Sequence, residues 1–238
     1  MEVILSFFIN IVEKYYHQKI ILKKLKKLKL KVILDVGAHK GEFAKPLSRI
    51  LMIKKIYAFE PQKIIFNECN KNLNSIKKIK YINIALSDRH GLKKIKINKK
   101  TSTSTFSLIN TNSKWFRFKN LFLGQVNNSS FLRTEYVNVT TGDAFIRYNS
   151  LKNIDLLKID TEGHEKSVLN GFRKNLKENS IKYILLEMHL GNMYKNYNIK
   201  SLDKYLKKNN FLLKKKYKFP FLPFEDRLYF NKKILDNN

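Results

Sequence analysis

From Lys31 onward the chain alternates short apolar runs with stretches of helical periodicity. The apolar runs are residues 32–34, 56–59, 81–84, 154–159 and 181–186. Between them, apolar positions spaced by three and four residues predict helices up to about residue 51, over about 62–73 and over about 164–175. Short buried strands separated by helices are typical of βαβ units. We therefore predict an α/β fold with a mostly parallel, doubly wound sheet that helices cover on both faces.

The first block of the chain, residues 1–30, has the periodicity of a basic amphipathic helix. It lacks the basic start and the cleavage site of a signal peptide. Asn10, Glu13 and Lys14 leave its apolar run too short to cross a bilayer. Two interpretations stay open: contact with a membrane surface or a partner, and packing on the domain that follows.

That domain is expected to comprise residues 31–238, with an insertion at about residues 91–139. The insertion contains a stretch rich in Ser, Thr and Asn that interrupts the alternation of strands and helices, so we expect it to lie over the edge or the top of the sheet. Near the C-terminus, residues 211–217 and 227–230 predict an antiparallel hairpin around a proline-containing turn.

Composition narrows the class of protein. Because 43% of the 238 residues are hydrophobic and 13% are aromatic, the chain can bury one large core, which excludes a disordered protein. The one cysteine, Cys69, cannot form an internal disulfide, so we expect a cytoplasmic protein. The net charge of +29 suggests nucleic acid or an anionic membrane as a partner. Most basic residues are lysines, whereas nucleic-acid readers favour arginine, so we expect them mainly to solvate the surface, with peripheral contact at the inner membrane surface as the alternative.

A glycine turn follows the first predicted strand, at Asp35, Gly37 and Gly41. Its G-x-x-x-G spacing lacks the middle glycine of a dinucleotide fingerprint, which disfavours NAD and FAD, and the turn is not a P-loop. Glu60 ends the second strand, where an acidic side chain accepts hydrogen bonds from a ribose diol. Two carboxylates and a glycine turn without a phosphate-binding loop fit S-adenosylmethionine, which carries a ribose, an amino acid and a sulfonium but no phosphate.

Five segments, together with their order and spacing, resemble the FkbM family of S-adenosylmethionine-dependent methyltransferases. They are residues 35–41, 59–61, 85–88, 140–143 and 154–165. The resemblance covers about residues 31–189, and its longest motif is the most specific. The chain departs from the family at His39 and Gly142, where Asn and Leu are usual.

The resemblance implies a Rossmann-like class I methyltransferase fold and transfer of a methyl group to an oxygen of a sugar or a secondary metabolite. It also implies positions for the cofactor-binding residues, with Ser87 and Asp88 in the region that faces the adenine. The residues that match cofactor positions are Asp35, Gly37, Gly41, Glu60, Ser87 and Asp88.

The transfer site is expected where strand order reverses, beyond the carboxyl ends of the strands. Asp160, Glu162 and His164 follow one predicted strand, and His189 follows its neighbour. Methylation of a hydroxyl needs a base, for which His164 and His189 are candidates, with Asp160 as base or orienting residue. A divalent metal held by Asp160, Glu162 and a histidine would be an alternative way to polarise the hydroxyl. For the acidic residues, capping of the following helix is the structural alternative.

Two further features concern the acceptor. The Ser/Thr run at residues 101–106 is predicted either to hydrogen-bond a sugar-like acceptor or to form a polar edge strand. Trp115, Phe116 and Phe118 fit a lid, a stacking platform or the small core of a loop. We predict an O-methyltransferase that acts on a glycan or a small hydroxylated metabolite. An RNA methyltransferase, which the charge supports, and a non-catalytic membrane-surface binding protein are the alternatives; no Asn/Asp-Pro-Pro-Tyr/Phe motif follows Ile159, which disfavours nucleic acid.

Overall fold

The computed structural model describes residues 17–50, 52–122, 131–219 and 223–235. The strands in this part of the chain are β1 (Val32–Val36), β2 (Lys55–Phe59), β3 (Ile79–Ile82), β4 (Ala85–Leu86), β5 (Gly91–Asn98), β6 (Phe131–Thr140), β7 (Ile154–Ile159), β8 (Ile181–His189), β9 (Phe211–Lys218) and β10 (Phe224–Asn231). The α-helices are α1 (Gln18–Leu25), α2 (Ala44–Ser48), α3 (Lys63–Asn74), α4 (Lys114–Phe122), α5 (Gly142–Tyr148), α6 (Glu165–Gly171), α7 (Arg173–Lys177), α8 (Ile199–Lys208) and α9 (Lys232–Leu235).

Seven strands form the central sheet, in the order β3-β2-β1-β7-β8-β10-β9. The first five in this order run parallel, and β10 is antiparallel to both of its neighbours. The chain builds outward from β1 through β2 to β3 and later returns to place β7 on the other side of β1. Strand order therefore reverses at β1, which confirms the predicted doubly wound sheet and its C-terminal antiparallel hairpin.

Hydrophobic side chains cover both faces of this sheet. Alternate residues of β1 point to opposite faces, so that Leu34 belongs to one buried cluster and Ile33 to the other. Leu157 and Leu156 of β7 divide between the two faces in the same way. Because β1 and β7 are buried on both faces, each appears in the sequence as a continuous apolar run rather than as an alternating one.

The described part of the predicted N-terminal helix packs on the domain. In α1, Ile21 and Leu25 are buried in the same cluster as Ile33. His17, one residue before the helix, is buried and its Nε2 lies 2.8 Å from Asp226 Oδ2 of β10. These contacts fit the packing interpretation; residues 1–16 lie outside the described residues. No helix in the described ranges is long and apolar enough to cross a membrane.

The segment predicted as an insertion forms a second, three-stranded sheet with the order β4-β6-β5. A small apolar core lies under this sheet and includes Ile95, Ile97, Val137 and Val139. Strand β6 is ten residues long, and the insertion also contains helix α4, which its Ser/Thr/Asn-rich composition does not indicate.

Two helices are shorter than their periodicity predicts. The first crossover helix is limited to α2, because Pro46 fits only near the start of a helix, and the residues just after Gly41 form turns. The helix expected over residues 164–175 is broken into α6 and α7 at Phe172, whose backbone leaves helical geometry (φ −106°) and whose ring is buried in the core.

Candidate active site

A cavity of about 460 Å³ opens at the carboxyl ends of β1, β2 and β7, where strand order reverses. Its volume is in the range of small-molecule sites. Residues after the three strands form one side, namely Gly37, Ala38, His39, Glu60, Pro61, Gln62, Asp160, Thr161 and Glu162. The insertion supplies another side, with Ile95, Lys99, Lys100, Thr101, Ser102, Ser104 and Phe106.

The glycine turn brings the β1 and β7 loops into contact. Gly37 has φ +84°, and a Cβ at this position would lie 1.8 Å from the backbone oxygen of Asp160. A side chain here would therefore separate the two loops. Gly41 also has a positive φ, +76°, but a Cβ there would meet the Leu73 side chain, and Gly41 is not among the residues that line the cavity.

Glu60 is a buried carboxylate that faces the cavity and is held by backbone groups. Its Oε2 accepts a hydrogen bond from the amide of His39 at 3.0 Å, and its Oε1 accepts one from the amide of Gln62 at 2.8 Å. Burial raises the pKa of Glu60 to about 7, although both hydrogen bonds favour the ionised form. The two amide donors fix the orientation of the carboxylate.

A buried lysine joins two of the carboxylates named above. Lys158 Nζ lies 2.9 Å from Asp160 Oδ2 and 3.5 Å from Asp35 Oδ1. Burial lowers the pKa of Lys158, but the two carboxylates outweigh it and raise that pKa above its ordinary value. Asp160 and Lys158 line the cavity, whereas Asp35 is fully buried behind them and is not part of the lining.

The loop after β7 is held by carboxylate hydrogen bonds. Glu165 Oε1 accepts from the backbone amides of Thr161 and Gly163, both at 3.1 Å, and burial raises the pKa of Glu165 to about 7. Both amides precede helix α6, so Glu165 holds the loop in place rather than capping the helix. Glu162 has a left-handed backbone (φ +52°) and lines the cavity.

Behind Glu162 lies a group of polar side chains at the end of β8. The Tyr194 hydroxyl donates to Glu162 Oε2. His189 Nε2 lies 3.9 Å from the same oxygen and 3.5 Å from Glu187 Oε1. His189 is only 1% exposed and is not part of the cavity lining, so it reaches the cavity through Glu162.

The structure does not bring Ser87 or His164 to the cavity. Ser87 is fully buried, and its Oγ lies 2.9 Å from His164 Nε2. Burial, together with the nearby Lys93, lowers the pKa of His164 to about 3, which keeps the imidazole neutral. The Phe106 ring, 4.9 Å from the His164 ring, lies in the cavity lining, and Asp88 is exposed on the turn beyond. His164 could act as the transfer base only with direct access to the cavity, which this packing does not provide.

The metal alternative requires Asp160 and Glu162 as ligands. The Asp160 carboxylate accepts a hydrogen bond from Lys158, and the Glu162 carboxylate accepts one from the Tyr194 hydroxyl. Within the described residues, no group of three or more His, Cys, Asp and Glu side chains is arranged to hold a metal ion.

The Ser/Thr run binds the loops that form the cavity. Thr101 Oγ1 lies 2.8 Å from His39 Nε2, and its backbone oxygen accepts from Gln62 Nε2 at 3.1 Å. Ser104 Oγ donates to Gln62 Oε1 at 3.0 Å. Sequence reasoning missed Gln62, and it also missed Lys158 and Tyr194. Lys158 had a signal, since a charged residue inside a buried apolar strand needs a partner.

Comparisons with known proteins place the chain in a family. A family model described as "Methyltransferase FkbM domain" matches residues 35–213, most of the chain. No curated protein matches the chain.

Two solved structures have the same fold. A methyltransferase FkbM from Methylobacillus flagellatus KT aligns with a TM-score of 0.54 at 15% identity, over 85% of this chain and 44% of that one. The chain thus spans less than half of the Methylobacillus protein. A SAM-dependent methyltransferase from Aquifex aeolicus aligns with a TM-score of 0.52 at 12% identity, over 97% of this chain and 98% of that one. The fold is the Rossmann-like class I methyltransferase fold, and the chain belongs to the FkbM methyltransferase family.

Proposed function

We propose that the chain binds S-adenosylmethionine in the cavity and transfers its methyl group to a hydroxyl oxygen of a glycan or a small hydroxylated metabolite. The observation that carries the proposal is the Glu60 carboxylate, which two backbone amides orient at the end of β2 and which faces the cavity. At this place in a doubly wound sheet, a fixed carboxylate is suited to a ribose diol.

The residues fit the cofactor in charge as well as in position. Charged groups of both signs line the cavity: the carboxylates of Glu42, Glu60, Asp160 and Glu162, and the ammonium groups of Lys99, Lys100 and Lys158. This lining suits a ligand that carries both cationic and anionic groups. Gly37 lets such a ligand approach the backbone of the β1 loop. When bound, the cofactor supplies an electrophilic methyl group on its sulfonium.

The protein must then take the proton of the acceptor hydroxyl. Asp160 and Glu162 are the carboxylates that the β7 loop presents to the cavity. The Asp160 carboxylate is already hydrogen-bonded by the Lys158 ammonium group, at 2.9 Å, so we assign the base to Glu162. The Tyr194 hydroxyl and His189, which both lie next to the Glu162 carboxylate, hold this base in place rather than touching the acceptor.

Calorimetric titration with S-adenosylmethionine tests the cofactor site. We expect the wild type to bind and Glu60→Ala to lose at least about tenfold in affinity, the equivalent of one charged hydrogen bond. Glu178→Ala is the matched control, because Glu178 is exposed and its carboxylate pairs with Lys174 on the surface. A well-folded wild type that binds no S-adenosylmethionine would overturn the proposal.

The acceptor is tested with a radiolabelled methyl group and a panel of sugars, polysaccharides and bulk RNA. We expect label in a carbohydrate or another hydroxylated small molecule, and none after Glu162→Gln. Because the net charge of +29 favours RNA as the alternative, each assay is run at low and moderate salt. Label in RNA that falls steeply with salt would replace the carbohydrate by RNA as the acceptor.

A further inference from the structure

Lys158 and Asp160 form an ion pair in the wall of the cavity. Their Nζ and Oδ2 atoms are 2.9 Å apart, and both residues line the cavity. The Asp160 side chain is 32% exposed, whereas that of Lys158 is 9% exposed. The cavity wall therefore presents a negative and a positive group side by side.

This pair is not explained by stability. Lys158 lies in a strand whose other central residues are apolar, and burying a charge there costs more than an apolar side chain of similar size. Asp35 is fully buried behind the pair, and neither of its carboxylate oxygens has a hydrogen-bond partner within the described residues. Its 3.5 Å ion pair with Lys158 holds the ammonium group from the side away from the cavity.

The pair matches one end of the proposed cofactor. The amino-acid end of S-adenosylmethionine is a zwitterion, with an ammonium and a carboxylate on the same carbon. In a cavity with four carboxylates, the cofactor carboxylate needs a cationic partner. Lys99 and Lys100 also line the cavity, but Lys158 is the lysine that a buried ion pair holds beside Asp160. An ammonium group has three N–H donors, of which the hydrogen bond to Asp160 uses one.

We propose that Lys158 binds the carboxylate of the cofactor's amino-acid group while Asp160 binds its ammonium. Asp35 is then a positioning residue, which acts on the cofactor through Lys158. This inference rests on the proposed function, because it assumes that S-adenosylmethionine occupies the cavity.

The test uses calorimetry with cofactor analogues that differ only at this end. Decarboxylated S-adenosylmethionine lacks the carboxylate, and 5′-methylthioadenosine lacks the whole amino-acid group. We expect the wild type to bind S-adenosylmethionine about 10- to 100-fold more tightly than the decarboxylated analogue, as one charged hydrogen bond provides. Lys158→Met should remove most of that difference and leave the affinity for 5′-methylthioadenosine unchanged.

Lys158→Met leaves Asp35 as a buried charge without its lysine and could fail to fold. The double variant Lys158→Met/Asp35→Asn removes both charges, and it takes the place of the single variant in the same titrations. If neither variant folds, the wild-type comparison decides, since equal affinity for S-adenosylmethionine and its decarboxylated analogue overturns the inference.

The remaining outcomes separate this inference from the proposed function. Equal losses of affinity for S-adenosylmethionine and 5′-methylthioadenosine in the lysine variants would show a structural role and overturn it. A wild type that binds both ligands with the same affinity would also overturn it and leave the cofactor site intact. A wild type that binds neither ligand would overturn the proposed function itself.

Discussion

Replacement of Gly37 by alanine tests whether the β1 and β7 loops must touch. In the structure, the added methyl group would lie 1.8 Å from the Asp160 backbone oxygen, where an ordinary contact is 3.4–4 Å. The loops would have to separate by more than about 1 Å. That movement threatens the hydrogen bond from the Asp160 amide to the Val36 oxygen, which is 3.0 Å long.

The size of the effect follows from two contributions. A φ of +84° costs alanine about 1–2 kcal/mol relative to glycine. Forcing a backbone contact apart costs about 1–3 kcal/mol more, and each lost hydrogen bond adds about 1 kcal/mol. We expect the free energy of unfolding to fall by about 3–5 kcal/mol. Affinity for S-adenosylmethionine should fall at least about tenfold, because Asp160 moves with its loop.

Gly41→Ala is the control that isolates the contact. Its φ of +76° gives nearly the same backbone strain, but the methyl group would meet Leu73 Cδ2, the end of a side chain that can repack. Urea denaturation and calorimetric titration compare the two variants. We expect Gly41→Ala to lose less stability and little affinity. If Gly37→Ala is no less stable than Gly41→Ala and binds the cofactor as the wild type does, the argument from loop contact is refuted.

Three further predictions concern titration and catalysis. Because burial raises the pKa of Glu60 to about 7 and a ribose hydroxyl would favour its ionised form, affinity for S-adenosylmethionine should rise with pH up to about 7 and then level off; Glu60→Gln should abolish that slope in calorimetry. Burial lowers the pKa of His164 from 6.5 to about 3, so His164 is protonated in the unfolded chain at a higher pH than in the folded protein. The stability that neutral His164 contributes is therefore complete above pH 6.5 and is lost as the pH falls towards 3. Between pH 6.5 and 5 this loss is about 2 kcal/mol, and urea denaturation of His164→Gln should lack it; an equal acid loss in the variant would refute this account. Tyr194→Phe should leave affinity for S-adenosylmethionine within about twofold but lower the rate of methyl transfer, since Glu162 loses the hydroxyl that holds it; an unchanged rate would contradict this role.

The sheet could be predicted because its signal is local. The inner parallel strands are buried on both faces, so a largely apolar run such as Ile154–Ile159 marks a strand without any alignment. The insertion could not be predicted as well. Its strands β5 and β6 bury only one side, and their exposed positions include Leu92 and Tyr136, so polar and apolar residues do not mark the faces clearly. Helix α4 lies in a stretch whose Ser, Thr and Asn residues indicate a loop.

The candidate site could be predicted where a residue is placed by the end of its own strand. Glu60 and Asp160 follow β2 and β7 directly, and both line the cavity. His164 and His189 also lie near the ends of their strands, but neither lines the cavity, because the direction of a side chain at a strand end depends on packing. Tyr194 had no signal, because it reaches Glu162 from a loop after a different strand.

The ion pairs of Lys158 connect the glycine-turn motif with the long motif that contains β7. In the parallel pairing of β1 with β7, Asp35 is the register partner of Lys158, so their side chains lie on the same face of the sheet. Asp160 lies two residues after Lys158 and therefore returns to that face. Strand register thus brings Asp35 of the glycine turn together with Lys158 and Asp160 of the long motif. A shift of the register by one residue would turn Lys158 to the opposite face and leave Asp35 without its ion pair. The spacing within each motif cannot reveal this ion pair, because the pair depends on how β1 and β7 align.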